Sequence, residues 1–138
     1  MKKKVFIDSD VVISSLISQT GAAYFILHET DLELVISDES IKELEDVVNR
    51  MNLDEKELKT LIKDRFGVIK LGRVKKGDLS SYVLDPGDEH IIAGAKKAKT
   101  KYIISYNIKD FKIDKIAEDL RIIVTTPAKF LQYLRSIQ

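Results

Sequence analysis

The feature that most constrains the fold is an alternation. Short apolar runs are each followed by a stretch with helical spacing. "KVFID" (4–8), "LELVIS" (32–37), "VIKLG" (68–72), "KYIIS" (101–105) and "RIIVT" (121–125) read as buried strands. Between and after them, residues 11–17, 22–28, 37–51, 52–66, 85–99, 113–120 and 127–137 read as helices. The helix signals are specific. Ser37 or Asp38 caps the third helix, and Leu58, Leu61, Ile62 and Phe66 repeat at helical spacing with Gly67 just past their end. Asp85 and Pro86 are placed to cap and open the helix over 85–99. Residues 73–84 form a basic, glycine-bearing connection. Strands separated by helices cannot close as hairpins, so the expected fold is α/β, with a parallel sheet and helices on both faces.

At 138 residues the chain is most simply one domain, with no internal repeat or linker. It contains no cysteine, which excludes disulfide frameworks and thiolate metal sites. No apolar stretch approaches the ~20 residues that span a bilayer. Asp8 and Asp10 interrupt the apolar start that a signal peptide would need, so a cytoplasmic protein is expected. The net charge of +1 hides an asymmetry. Residues 1–66 hold 9 Lys/Arg and 14 Asp/Glu, whereas residues 67–138 hold 14 and 8. Such a division fits a nucleic-acid-facing surface, and equally a solvated lysine-rich one.

Parallel sheets place functional groups at the carboxyl ends of their strands. Asp8 ends the first strand, and Asp110 lies just beyond the strand ending at Ser105. Asp88 opens the helix that feeds that strand, and Glu43 lies one turn into the helix after the second strand. Each acid also has a plain structural role open to it. Asp8 and Asp10 can cap the helix beginning near Val11, and Asp88 can occupy N3 of a helix capped by Asp85. Asp110 can be a turn former in "SYNIKDF", with Asn107 as a companion. Glu43 and Glu45 both border the apolar stripe of Ile41, Leu44, Val47, Val48 and Met51, so periodicity does not choose between them. His28 and His90 are not at metal-ligand spacing, and His90 is expected to be solvated.

The chain has no G-x-x-x-x-G-K-[ST] loop, no G-x-S-x-G elbow and no catalytic cysteine. Chemistry must come from oxygen ligands, which suit Mg²⁺ or Mn²⁺. A hard cation beside a basic half-chain points to phosphate-ester hydrolysis, the cation polarising a phosphoryl oxygen and activating water. Lysines elsewhere would hold flanking phosphates.

With these positions in hand, the chain resembles the PIN-domain family, which includes VapC-type toxins. "VFIDSDVVISSLIS" is similar to the family's opening strand, with its acid at Asp8. "ISDESIKELEDVV" resembles the segment whose catalytic glutamate falls on Glu43. "DPGDEHIIAGAKKAKTKYIISYNIKDF" resembles the stretch that places acids at Asp88 and Asp110. The resemblance runs nearly end to end and implies a single PIN-like domain over 1–138, a three-layer α/β/α fold with a mostly parallel central sheet. It also implies a Mg²⁺- or Mn²⁺-dependent endoribonuclease in which Asp8, Glu43, Asp88 and Asp110 ligate the metal. Asp10, Ser14 and Asn107 would stand behind them. A toxin of this kind is commonly dimeric, cuts RNA and is often neutralised by a small antitoxin. The chain departs from the pattern twice: Asp10 stands where many members have Asn, and Asn107 where an acid is often found.

Two other readings remain. "VFIDSDVV" also fits the D-x-D start of haloacid-dehalogenase-type phosphatases, with Ser37 or Ser105 as the later hydroxyl, but "RIIVTTPAKF" lacks the paired acids that class needs. A degenerate PIN-like module would bind RNA or protein without cutting, and weak metal affinity would distinguish it.

Overall fold

All five apolar runs become strands, because each is short, branched and bracketed by charge or turn residues. The computed structural model describes residues 2–72 and 77–137; residues 73–76 of the basic connection lie outside them. The strands are β1 (Lys4–Ile7), β2 (Glu33–Ser37), β3 (Phe66–Ile69), β4 (Tyr102–Ile104) and β5 (Ile123–Thr125). They form one sheet in the order β3-β2-β1-β4-β5, and every pairing is parallel. Among the described residues seven α-helices flank it: α1 (Ser9–Ile17), α2 (Ala22–Glu29), α3 (Asp38–Arg50), α4 (Glu55–Arg65), α5 (Glu89–Lys97), α6 (Ile113–Leu120) and α7 (Pro127–Ser136).

At β1, β2 and β4 both sheet faces are covered, which is why these strands read as continuous apolar runs rather than alternating ones, whereas the edge strands β3 and β5 leave Val68 and Ile123 exposed. Val5, Ile7, Leu34, Ile36 and Ile104 face a core shared with α1, α2, α3, α4 and α7. Phe6, Val35, Ile103 and Val124 face the other core, where Ile91 and Ala95 of α5 and Ile116 of α6 pack. Gly94 makes the second core possible. A Cβ there would lie 2.6 Å from the Phe6 ring, so only glycine lets α5 sit this close to β1.

Two segments differ from the sequence reading. Phe66 and Gly67 belong to β3 rather than to a helix end, because Phe66 pairs with Leu34 and Gly67 with Val35. The helix expected over 85–99 is split. Asp85 caps a 3₁₀ turn, Pro86–Asp88, through Gly87 N (2.9 Å), and α5 starts only at Glu89. Asp88 therefore sits at the N-cap of α5, not at its third position.

Strand order decides where a ligand can enter. From β1 the chain winds outward through β2 and β3, then returns to lay β4 and β5 on β1's other side. Between β1 and β4 the winding reverses, and the carboxyl ends of such a switch point are where parallel α/β sheets form a ligand crevice. Asp8 follows β1 and Ser105 follows β4, and Asp8 N donates to Ile104 O (3.0 Å) across the gap.

Candidate functional site

Asp8 occupies the N-cap position of α1, yet its side chain caps nothing. The carboxylate is only 8% exposed and accepts the Ser105 hydroxyl at 2.8 Å. Ser105 is fully buried, and its oxygen in turn accepts from Asn107 N (3.0 Å). That incoming amide leaves the hydroxyl proton free to point at Asp8. Burial pushes the Asp8 carboxyl above its ordinary range, and the Glu43 charge adds to this against the Ser105 bond.

Asp10, in the first turn of α1, accepts Tyr106 N at 3.1 Å and lies 3.4 Å from the Ser105 oxygen. Its other oxygen is buried without a hydrogen-bond partner among the described residues. Burial, then the Asp8 charge, raise its carboxyl to about 7. An orphaned, charge-crowded oxygen is costly and calls for an explanation at a site. Ser14, one turn on, donates to the Tyr106 hydroxyl (3.4 Å), and Tyr106 is largely exposed at the rim.

Asp88 comes from the opposite side of the crevice, held by the 3₁₀ turn that Asp85 caps. Burial raises its carboxyl to about 6, and the charges of Asp8, Asp85 and Asp110 add to the shift. Asp110 closes a second 3₁₀ turn, Ile108–Asp110. Its carbonyl accepts from Leu84 N (2.9 Å) beside a bridge between Val83 and Phe111, which ties its loop to the chain leading into Asp88.

Glu43 is placed differently. It is half exposed on α3, and its Oε1 lies 3.0 Å from His90 Nε2 on α5. Burial alone would depress His90, but the hydrogen bond it donates to Glu43 and the charges of Glu43, Asp8 and Asp88 outweigh it and raise its pKa. His90 is thus half-buried and paired rather than solvated, because α5 begins late and turns its first residues toward α3. Glu89, buried like Asp8, accepts Gly77 N (3.1 Å) and anchors that loop instead of joining the crevice.

The structure therefore brings Asp8, Asp10, Asp88 and Asp110 within electrostatic reach and links Glu43 to them through His90. Among the described residues, no three of His, Asp and Glu close into a cage around a point that a metal ion would fill. The donor chemistry still suits a hard cation. The oxygens are carboxylate and hydroxyl, one is orphaned, and the crowded charges raise each other's pKa. Mg²⁺ typically keeps several waters and takes only one or two carboxylates, with substrate phosphate completing its shell. The sequence reading named Ser105 only as a hydroxyl for the phosphatase alternative, not as Asp8's partner, and missed His90 as the partner of Glu43. A serine at the end of a buried strand was the available signal for the first.

Comparison with known proteins places these residues in context. A family model described as a PIN domain matches residues 4–109. A toxin–antitoxin complex from Klebsiella pneumoniae is similar in fold, with 20% identity and a TM-score of 0.64, covering 89% of this chain and 97% of that one. VapBC2 from Rickettsia felis, bound to a DNA fragment from its promoter, is also similar, with 13% identity, a TM-score of 0.63, and coverage of 89% and 98%. No curated protein matches the sequence.

Proposed function

The chain belongs to the PIN-domain family, and on that premise we propose that it is a metal-dependent endoribonuclease, the toxin of a toxin–antitoxin pair. The observation that carries this reading is Asp8. A buried carboxylate at the switch point of a parallel sheet, leaving its helix uncapped, is an expensive arrangement without a cation to face.

Asp8 and Asp88 would hold Mg²⁺ or Mn²⁺ from the two sides of the crevice, with Asp110 and Glu43 reaching it through water. Bound there, the cation supplies charge neutralisation for a phosphodiester and lowers the pKa of an attacking water. Ser105 fixes the Asp8 carboxylate by its hydroxyl and is itself fixed by Asn107 N. Asp10 is held off by Tyr106 N and supplies negative charge behind Asp8. Glu43 and His90 form a proton-carrying pair at the margin, and the raised pKa keeps His90 protonated further toward neutral pH.

RNA as substrate is supported by the basic second half of the chain. An antitoxin partner is supported by the similar fold of the Klebsiella pneumoniae toxin–antitoxin complex and of VapBC2 from Rickettsia felis. A single domain over 1–138, a homodimer and a cytoplasmic location complete the proposal. No single helix among the described residues is long and apolar enough to cross a membrane. The phosphatase reading loses its premise with family membership. The binding-module reading is favoured by one observation, that no three acidic or histidine side chains among the described residues form a closed cage.

Cleavage of a mixed structured RNA with Mn²⁺, Mg²⁺ or chelator tests the proposal, alongside Asp8→Asn and Asp88→Asn. Metal-dependent internal cuts, lost in both variants, are expected. No cleavage together with no detectable Mn²⁺ binding would replace the nuclease with the binding module.

A further inference from the structure

At the opposite end of the sheet, where β4 and β5 begin, α5 and α6 end side by side. A groove of about 450 Å³ opens there, lined by Lys96, Lys99, Lys101 and Arg121 with Asp119. We propose that this groove is a phosphate-binding subsite that grips the RNA backbone away from the point of cleavage. The inference rests on the ribonuclease reading and extends it to a second place on the protein.

Lysines near helix C-termini have an ordinary use, since they offset the dipole and bond terminal carbonyls. Here the carbonyl-bonding part of that use is already filled by the backbone. The carbonyls of Gly94, Ala95 and Lys96 accept the backbone amides of Ala98, Thr100 and Lys99, and Ala117 O accepts Arg121 N. Thr100 Oγ1 also donates to Ala95 O, and Lys4 Nζ reaches Ala98 O. The four groove cations stay exposed, and none has a carboxylate within salt-bridge distance among the described residues. Asp119, the one acid present, accepts the Tyr82 hydroxyl at 3.0 Å.

The backbone adds an independent observation. Lys99 (φ 58°) and Arg121 (φ 60°) both hold the left-handed conformation that follows a helix. Glycine or asparagine is preferred at such a position, because a Cβ is strained there. In this groove both positions instead carry long cationic side chains, and both line the same cavity. Non-glycine residues held in the left-handed region cluster at functional sites. Four exposed cations lining one groove suit the anionic backbone of a nucleic acid, whose phosphates take most protein contacts without carrying sequence information. From Lys101 to Ser105 the chain rises about 13 Å, four strand steps of ~3.3 Å. An RNA strand that bends around the β4–β5 edge would then touch both ends.

The test is the salt dependence of RNA binding, with an end-labelled mixed-sequence hairpin RNA in chelator, so that binding is read without cutting. Lys99→Gly/Arg121→Gly removes two cations and leaves the backbone its preferred residue. The slope of log affinity against log salt is expected to flatten by about 1.5, two phosphate contacts at ~0.7–0.9 each. Lys96→Gln/Lys101→Gln, at unstrained positions, is expected to flatten it similarly and guards against misfolding of the first variant. An unchanged slope in both folded variants overturns the subsite. The two readings fail separately. Flattened slopes with no metal-dependent cleavage and no detectable Mn²⁺ binding by wild type keep the subsite and remove the nuclease. Cleavage with unchanged slopes does the reverse.

Discussion

The two ends of the sheet carry opposite charge and hold it at different cost. At the carboxyl ends of β1 and β4, aspartates are buried against one another, and Asp10 and Asp88 are raised to about 7 and about 6. At the amino ends of β4 and β5, cations stand in solvent, and the cost is a left-handed backbone at Lys99 and Arg121. Helix dipoles favour both signs, since N-termini face the first end and C-termini the second. Dipoles alone explain neither the orphaned Asp10 oxygen nor two cations at positions that prefer glycine. The acidic end is built to hold something that removes charge repulsion, and the basic end to hold something flexible and anionic.

The largest effect should come from the acidic end. Asp8→Asn and Asp88→Asn each keep shape and remove a charge, and the expected loss of cleavage is on the order of 10²–10³-fold, the range for removing one preorganised electrostatic contact. Single-turnover cleavage rates at saturating Mn²⁺ would show it. Retention of rate in Asp88→Asn would confine the chemistry to Asp8 and Ser105, at the ends of β1 and β4. Ser105→Ala should follow. It strips Asp8 of its donor and Asn107 N of its acceptor, and about 10–100-fold in metal affinity or activity is expected for such a supporting contact. Mn²⁺ titration of the variant measures it.

Gly94→Ala tests how far the acidic end depends on close packing behind it. The added methyl meets the Phe6 ring, and α5 must move away from β1, taking Asp88 with it. A stability loss of about 1–3 kcal/mol is expected in urea unfolding, with slower cleavage. A variant equally stable but slow would show that position, rather than stability, is what the glycine protects.

These dependences also show what the sequence could disclose. The strands were legible because burial on both faces leaves continuous apolar runs, and Asp8 was legible because it ends one of them. Phe66 was misread because its local spacing is helical while its partner, Leu34, lies on a strand 32 positions earlier. Asp88's place was misread because the Asp85 cap closes a 3₁₀ turn before any helix begins. The Ser105–Asp8 bond joins residues 97 positions apart, and the Glu43–His90 pair joins two helices on separate segments. Local pattern carries no information on either. Helical periodicity left Glu43 and Glu45 equivalent, and only the fold shows which of them meets α5.

Proton concentration separates the two ends more gently. Asp10 and Asp88 have folded pKa values raised above their unfolded 3.8, so the folded state binds their protons more tightly. Their contribution to stability is fully present below pH ~4 and is lost as pH rises through about 6 to 7. His90, raised by Glu43, acts in the same direction. Metal-free protein should therefore melt higher near pH ~5 than near pH ~8, and added Mn²⁺ should recover stability mainly at the higher pH, where no proton competes. Differential scanning at both pH values reads this. A stabilisation by Mn²⁺ that is equal at both would place the cation away from these carboxylates.

The smallest effect belongs to the basic end and has the opposite sign from most substitutions. Lys99→Gly should stabilise, because a left-handed L-residue costs roughly 1–2 kcal/mol while glycine's extra chain entropy returns roughly 0.5–1. A net gain of about 0.5–1 kcal/mol, or a few degrees in melting temperature, is expected. Lys63→Gly is the matched control. It is exposed within α4, where glycine should cost about 1 kcal/mol. If both variants lose stability alike, the Lys99 backbone is unstrained and its charge needs no explanation. If Lys99→Gly gains stability while RNA binding weakens, the chain has kept a less stable turn for the cation it carries, just as the acidic end keeps unstable carboxylates for the cation they would bind.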